Sequence, residues 1–477
     1  MKKHVAILTT ALALTFGLTL SAGATETSGI QVQLDGKNLS FTDAIPQIKD
    51  QRTFLPFRAV FEAMGAKVDN QGDVITAAKD GRTVTMTLGS SQATVTENGV
   101  STSLSMDVAP YVDNATWRTY VPVRFAAQAM GCAVGWDQDD STVILVDTGK
   151  LLAEAKVGKS YTWLKKFTDY SAKYQEGIWD CSLNYDGSMT TQGLPMAIGG
   201  YTDATIDGST KVEMDMNMTV DMTDFLAAMQ EAQASALTAE EKAMLETLAT
   251  DGIDMTILGD LEKGQLYMNM NMGGELTAAT GMDPNTWYAM DLNAMYQQAG
   301  LNLNMDQLIG MVKADYSNYI LNMMEAGLQA ADVNDVNAYP GMVEMAQELA
   351  ALFADDRFTK NGNDYVCSYR TDEANASLEL TLTLNTSNGA VVGYAFEMGM
   401  YTPADVAAGV PATSMEMTAR LDAKDQMTAH VSTEMGSMAA MEMTMTGSYA
   451  KGTTAPRTQP PAGATVVPYE SLTAMPE

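Results

Sequence analysis

Lys211-Val212-Glu213-Met214-Asp215-Met216-Asn217-Met218-Thr219-Val220-Asp221-Met222 is the stretch that decides how the larger part of this chain reads. Its even-numbered residues are all apolar and its odd-numbered residues all polar. Side chains alternate faces along a strand, so the pattern predicts a half-buried strand whose apolar face is built largely of methionine. The pattern returns at Met268, Met270 and Met272, at Met398 and Met400, at Met415 and Met417, and at Met441, Met443 and Met445. A methionine-lined sheet is therefore expected at the centre of the larger domain.

Working outward, strands are predicted at Ile178–Tyr185, Met196–Tyr201, Leu266–Met272 and Trp287–Leu292. A C-terminal meander is predicted at Tyr365–Arg370, Ser377–Asn385, Ala390–Met400, Ser414–Leu421, Met427–Glu434 and Met441–Tyr449. Helical patterns interrupt them at Asp224–Leu248, where Thr238 and Glu241 form a capping box, and at Asn293–Ala354, broken near Tyr339-Pro340-Gly341. A helical linker spans 149–175, interrupted at Gly158, and residues 452–477 read as a Pro-rich, poorly ordered tail. The fold class is α+β. Residues 176–451 are expected to form an antiparallel curved sheet or half-barrel with helical insertions.

Composition narrows the function. The chain has 477 residues, a formal net charge of −31 and 46% hydrophobic residues, enough for more than one core. So acidic a surface repels nucleic acid and anionic lipid, which need clustered Lys and Arg. Residues 1–24 read as a secretory signal: Lys2 and Lys3, an apolar run from Val5 to Leu20, and Ala22-Gly23-Ala24 as the cleavage site. No second apolar run reaches the length of a membrane span. The expected location is extracellular and envelope-associated. Of the three cysteines, Cys181 and Cys367 are the candidate disulfide, with two buried free thiols as the alternative.

The N-terminal part repeats itself. Arg52-Thr53-Phe54-Leu55-Pro56-Phe57-Arg58 leads to Gly65, and Arg118-Thr119-Tyr120-Val121-Pro122-Val123-Arg124 leads to Gly131 at the same spacing. Pro56 and Pro122 suit the first position of a helix, and Gly65 and Gly131 its left-handed stop. Thr83–Leu88 and Gln92–Glu97 are expected to form a hairpin. Arg52, Pro56, Arg58, Gly65, Arg118, Pro122, Arg124 and Gly131 are thus structural markers of a duplicated α+β domain over 29–148. Arg58 and Arg124 are expected to pair with nearby acids or carbonyls. Cys132, whose counterpart is Ala66, is expected to be a packed thiol. Asp137, Asp139 and Asp140 read as a solvated turn before a calcium site.

These paired segments resemble the copper amine oxidase N-terminal-like, or stalk, domain of secreted Gram-positive bacterial proteins. The resemblance implies a surface or cell-wall-associated accessory module without copper or quinone chemistry, and a cell-wall component as its partner. In strand order the larger domain resembles the bacterial lipoprotein-carrier superfold (the LolA/LppX-like group). That resemblance implies an apolar face for acyl chains or another hydrophobic ligand.

Three readings of the methionines stay open at this stage. Met214, Met216, Met218, Met268, Met270, Met272, Met398, Met415, Met417 and Met443 are candidates for a pliable ligand face, since methionine adapts to varied apolar partners. Core filling in a purely structural surface protein is the second reading. Extracytoplasmic Cu(I) binding is the third, since thioethers are soft ligands. Same-face neighbours on one strand lie about 6.7 Å apart, which hinders convergence of three sulfurs from a single strand. His430, the one histidine after the signal segment, falls on the polar face of its strand. No nucleotide loop, nucleophile elbow or histidine-dependent triad is present, so the chain reads as a non-enzymatic binding protein for a hydrophobic small molecule, lipid or peptide, with no cofactor and no metal assigned.

Overall fold

The computed structural model describes residues 29–471 apart from 43, 50–51, 98–99, 192, 209, 225–226, 228–237, 274–282, 299–323, 326, 329–330, 332, 374–375, 405–409 and 470. The expected signal segment, residues 1–24, lies outside the described residues.

The two repeat motifs meet each other. Arg52–Pro56 and Arg118–Pro122 form an antiparallel pair with Leu55 opposite Val121, so the duplication is expressed as a local two-fold arrangement. Each strand runs directly into a helix, Phe57–Ala63 in one copy and Val123–Ala129 in the other. Pro56 and Pro122 are the residues just before the first helical position, one place earlier than expected; there too the absent N–H is not missed. Gly65 and Gly131 adopt positive φ, +86° and +71°, as helix stops require. Leu55, Val60, Phe61, Val121, Ala126 and Ala127 are all fully buried in one core. Arg58 pairs with Glu62 one turn on, at 3.3 Å. The Arg82–Thr87 and Gln92–Glu97 hairpin forms as expected, within a five-stranded sheet.

A further small sheet joins Cys132–Asp137, Thr142–Asp147, Gln31–Leu34 and Lys37–Asn38 in that order. One face of it faces the repeat core. The other is covered by helices from elsewhere in the chain. Ala133, Ile144 and Val146 pack with Leu151 and Leu152 of helix Thr148–Ala155 and with Met342, Ala346 and Leu349 of helix Ala338–Leu352. The expected break at Tyr339-Pro340-Gly341 is instead the start of that last helix, because Pro340 sits in the first turn, where no intrahelical donor is needed. Asp137 fastens the contact: its carboxylate accepts from the Asp139 and Asp140 amides and, at 2.9 Å, from Val336 N–H. The acidic turn is thus a backbone clamp.

The remainder is one sheet of fourteen strands. From one edge the order is Phe358–Asn361, Asp364–Glu373, Ala376–Ser387, Ala390–Thr402, Thr413–Leu421, Gln426–Met435, Ala439–Lys451, then Ile178–Thr191, Leu194–Asp207, Lys211–Asp221, Ile253–Asp260, Gln265–Asn271, Thr286–Asp291 and Thr465–Pro468. All neighbours are antiparallel except the last pair. The two edge strands do not pair with each other among the described residues, so the sheet is open.

Three further points differ from expectation. The strand Ile253–Asp260 was not anticipated, although Ile253, Met255 and Ile257 alternate with Asp254 and Thr256. The Pro-rich tail is no loose end. Arg457 donates through its amide and Nε to the Glu213 carboxylate, both at 2.6 Å, and Thr465–Pro468 adds a parallel edge strand. Cys181 and Cys367 are free thiols. Their strands stand six places apart in the sheet, about 29 Å at the usual strand spacing, and a disulfide needs Cα atoms within roughly 7 Å.

Candidate functional site: a methionine face

The register assembles the alternating methionines into rungs that cross the sheet. One rung runs Leu378, Met400, Met415, Thr433, Met441, Met189, Met196 as successive Cα partners. The next runs Leu380, Met398, Met417, Val431, Met443, Gly187, Ile198. Further along the strands Thr202, Met216, Met255 and Met270 are partners, and beside them Ala204, Met214, Ile257 and Met268. All candidate methionines within these strands therefore share one face, with Met272 just past the end of its strand. Direct cross-strand neighbours have Cβ atoms about 4.5–5.5 Å apart, closer than same-strand neighbours.

Cover over this face is uneven. Leu378, Leu380, Leu382 and Leu384 are buried, and helix Thr162–Ala172 lays Trp163, Phe167 and Tyr170 over the lower two together with Tyr365 and Tyr394. One strand further on, Met398 and Met400 are only partly buried, and so are Met415, Met417, Met441 and Met443 beyond them. Met214, Met216, Met270 and Met272 are also partly buried, Met218 is 39% exposed, and Met268 is buried. The N-terminal domain offers an internal contrast: Met64, Met86 and Met106 are at most 4% exposed and belong to its core. None of the ten candidate methionines belongs to a cluster of buried residues among the described residues. Helix Ala239–Thr250, started by the Thr238–Glu241 capping box, packs against Lys211–Asp221 with no described residue fully buried.

Aromatic residues finish the lower end. Tyr185 reaches across Gly200 to donate to Asn217 carbonyl at 2.6 Å; a Cβ at position 200 would stand 2.8 Å from the phenol carbon, so only glycine leaves it room. Tyr174 donates to Asp425 at 2.6 Å beside Lys173, and Trp179 Nε1 donates to the Lys173 and Glu176 carbonyls. Tyr449, over Cys181, is pushed up to about 12, chiefly by burial. The opposite face carries cross-strand polar pairs such as Ser182–Asp203, Thr205–Asp180 and Thr256–Asp215. His430 lies on that polar face, 3.3 Å from Thr444, away from every methionine rung.

The repeat pairing and its helix stops agree with a known family. Residues 33–145 match the copper amine oxidase N-terminal domain. In this copper amine oxidase N-terminal-type domain the donor set does not fit a copper centre: it contains no histidine, and its one cysteine, Cys132, is buried with its thiol pushed up to about 12 by desolvation. Among the described residues no three His, Cys, Asp or Glu side chains converge. Comparison with curated proteins gives no match. Solved structures that resemble the chain include a DUF1329 family protein from Desulfovibrio piger, 6% identical, with 62% of this chain and 95% of that one covered at a TM-score of 0.21, and a lipovitellin structure described by its lipid–protein interactions, 9% identical, with 64% and 29% covered at 0.22. At these scores neither likeness bears on the ligand.

Sequence reasoning did not place Met189, Met196 and Met255 on the face. Met189 and Met196 flank a turn, and Met255 lies on the missed strand. Their signal was the same alternation, spread over shorter runs.

Proposed function

We propose that this is a secreted, envelope-associated, non-enzymatic binding protein whose methionine face takes a lipid-like or peptide ligand. One observation carries the reading: methionines that fill the N-terminal core are buried, while those of the large sheet are left half-covered across consecutive rungs. A flexible, polarisable apolar surface of this kind adapts to varied ligands, and an acyl chain gains about 0.8 kcal/mol for each CH₂ it buries. No helix among the described residues is long and apolar enough to cross a membrane. Native mass spectrometry of the protein purified from its own host should show a lipid or peptide adduct, and the stripped protein should take up a hydrophobic fluorophore. A bare mass with no fluorophore uptake rejects the reading in favour of a structural surface protein.

The rungs also support a second reading, Cu(I) binding. Met441, Met189 and Met196 are consecutive partners, as are Met216, Met255 and Met270. Convergence from three strands avoids the spacing that hinders a single strand. Anaerobic Cu(I) titration decides it: tight uptake lost when Met189, Met441, Met216 and Met255 are all replaced by leucine supports this reading, and weak or unaltered uptake ends it.

A further inference from the structure

The sheet methionines carry chemistry as well as apolar surface. A thioether needs no deprotonation to react with a peroxide, whereas a cysteine must first become a thiolate. The three thiols of this chain are restrained. Burial pushes Cys132 up to about 12 and Cys367 up to about 11, and raises Cys181 as well. At neutral pH the accessible thioethers are thus the readier target, and they are gathered on one face. Every methionine of the four rungs except Met268 is only partly buried. Met64, Met86 and Met106 of the N-terminal core are at most 4% exposed.

We propose that the rung methionines form a reversible oxidation site, through which a peroxide switches off apolar binding at this face. The step transfers one oxygen atom. A sulfur lone pair attacks hydrogen peroxide, the O–O bond breaks and an S=O bond forms. The second oxygen leaves as water with both protons, so sulfur is oxidised by two electrons and the peroxide is reduced. The product is polar where the thioether was apolar. Apart from Thr202 and Thr433, the four rungs carry no side-chain hydrogen-bond donor, so a new sulfoxide oxygen finds its partners in water. Met216, Met255 and Met270 are consecutive partners, so sulfoxides there stand side by side. A ligand seated over them strips away that water without replacing its hydrogen bonds, which opposes binding. The strands are held by backbone pairing, and none of these methionines belongs to a buried cluster among the described residues. The sheet should therefore outlast the loss of its ligand. That loss rests on the apolar-face reading above; the pattern of oxidation does not.

Timed treatment of the full chain with hydrogen peroxide tests it, read by peptide mass spectrometry, Nile red titration and circular dichroism. Met216 and Met398 should gain oxygen about tenfold faster than Met86 or more. Nile red affinity should fall about tenfold or more in step with the rung sulfoxides. It should not follow the sulfoxide of Met438, which is 56% exposed in a turn off the rungs. Methionine sulfoxide reductases A and B together, one for each epimer, should restore affinity, with the strand signature kept throughout. Replacing every rung methionine by leucine should leave a chain that binds Nile red and is indifferent to peroxide; if that variant does not fold, the reductase arm decides. The proposal is overturned if the rung methionines react no faster than Met86, or if their oxidation leaves affinity unchanged. It also falls if the reductases restore nothing, if the strand signature is lost with binding, or if the folded leucine variant is still switched off. An untreated chain that takes up no Nile red removes the apolar-face reading and the switch together, on that arm alone.

Discussion

At the scale of single residues, burial separates two kinds of methionine. Met86 is 1% exposed in the N-terminal core, so Met86→Ala should cost about 2–5 kcal/mol of stability. Met216 is only partly buried, and Met216→Ala should cost less than about 1 kcal/mol. Chemical denaturation of both variants measures the difference; equal losses would mean that the sheet face is a filled core. The thiols sort in the same way. Burial pushes Cys132 up to about 12 and Cys367 up to about 11, so neither carries appreciable thiolate near pH 8. Alkylation followed by peptide mass spectrometry should label Cys181, the least buried of the three, first.

At the scale of elements, the clamp at Asp137 ties the acidic turn to the segment entering helix Ala338–Leu352. Hydrogen bonds from the Val336 and Asp140 amides hold its carboxyl below the usual range. A group depressed in this way stabilises the fold above the unfolded value near 4, and that contribution is lost as pH falls through the lower folded value. Asp137→Asn should therefore flatten the acid limb of thermal stability below about pH 4; an unchanged limb would remove the clamp from the account. The tail offers a second check. Deleting residues 453–477 uncovers the Thr286–Asp291 edge, so amide exchange there should quicken and association between copies should rise.

Legibility also divides by element. The long alternating strands and the duplicated helix starts were readable because each carries its signal within one run of residues. Ile253–Asp260 was missed because its alternation ends in Leu258, Gly259 and Asp260, all buried, which breaks the period-two pattern. The tail was misread because an edge strand of four residues is chosen by its neighbour and hardly at all by its own sequence. The rungs could not be read at all. That Met216 meets Met255 and Met189 meets Met441 depends on register between distant strands.

At the scale of the whole molecule, the N-terminal repeat and the larger sheet do not separate cleanly at residue 148. Ala133, Ile144 and Val146 are buried by helix Ala338–Leu352, which the chain supplies almost two hundred residues later. A fragment ending at residue 148 should therefore melt below the same region in the full chain and bind a hydrophobic fluorophore through the uncovered sheet face. Matching melting behaviour would show that the shared layer contributes little.

The seam between Ile178–Thr191 and Ala439–Lys451 has a kinetic consequence. It joins the first and last long strands of the sheet, and Lys451 reaches back to the Glu176 carbonyl across 275 residues of sequence. On either side of the seam each strand pairs with the next one along the chain, apart from the tail strand. Closing so long a loop is entropically costly and slow relative to local pairing. Two meanders should thus form early and separately, and be sewn together only after nearly the whole chain has emerged. Until then the methionine faces of both halves stand open, a hazard that a strongly acidic chain is well suited to survive.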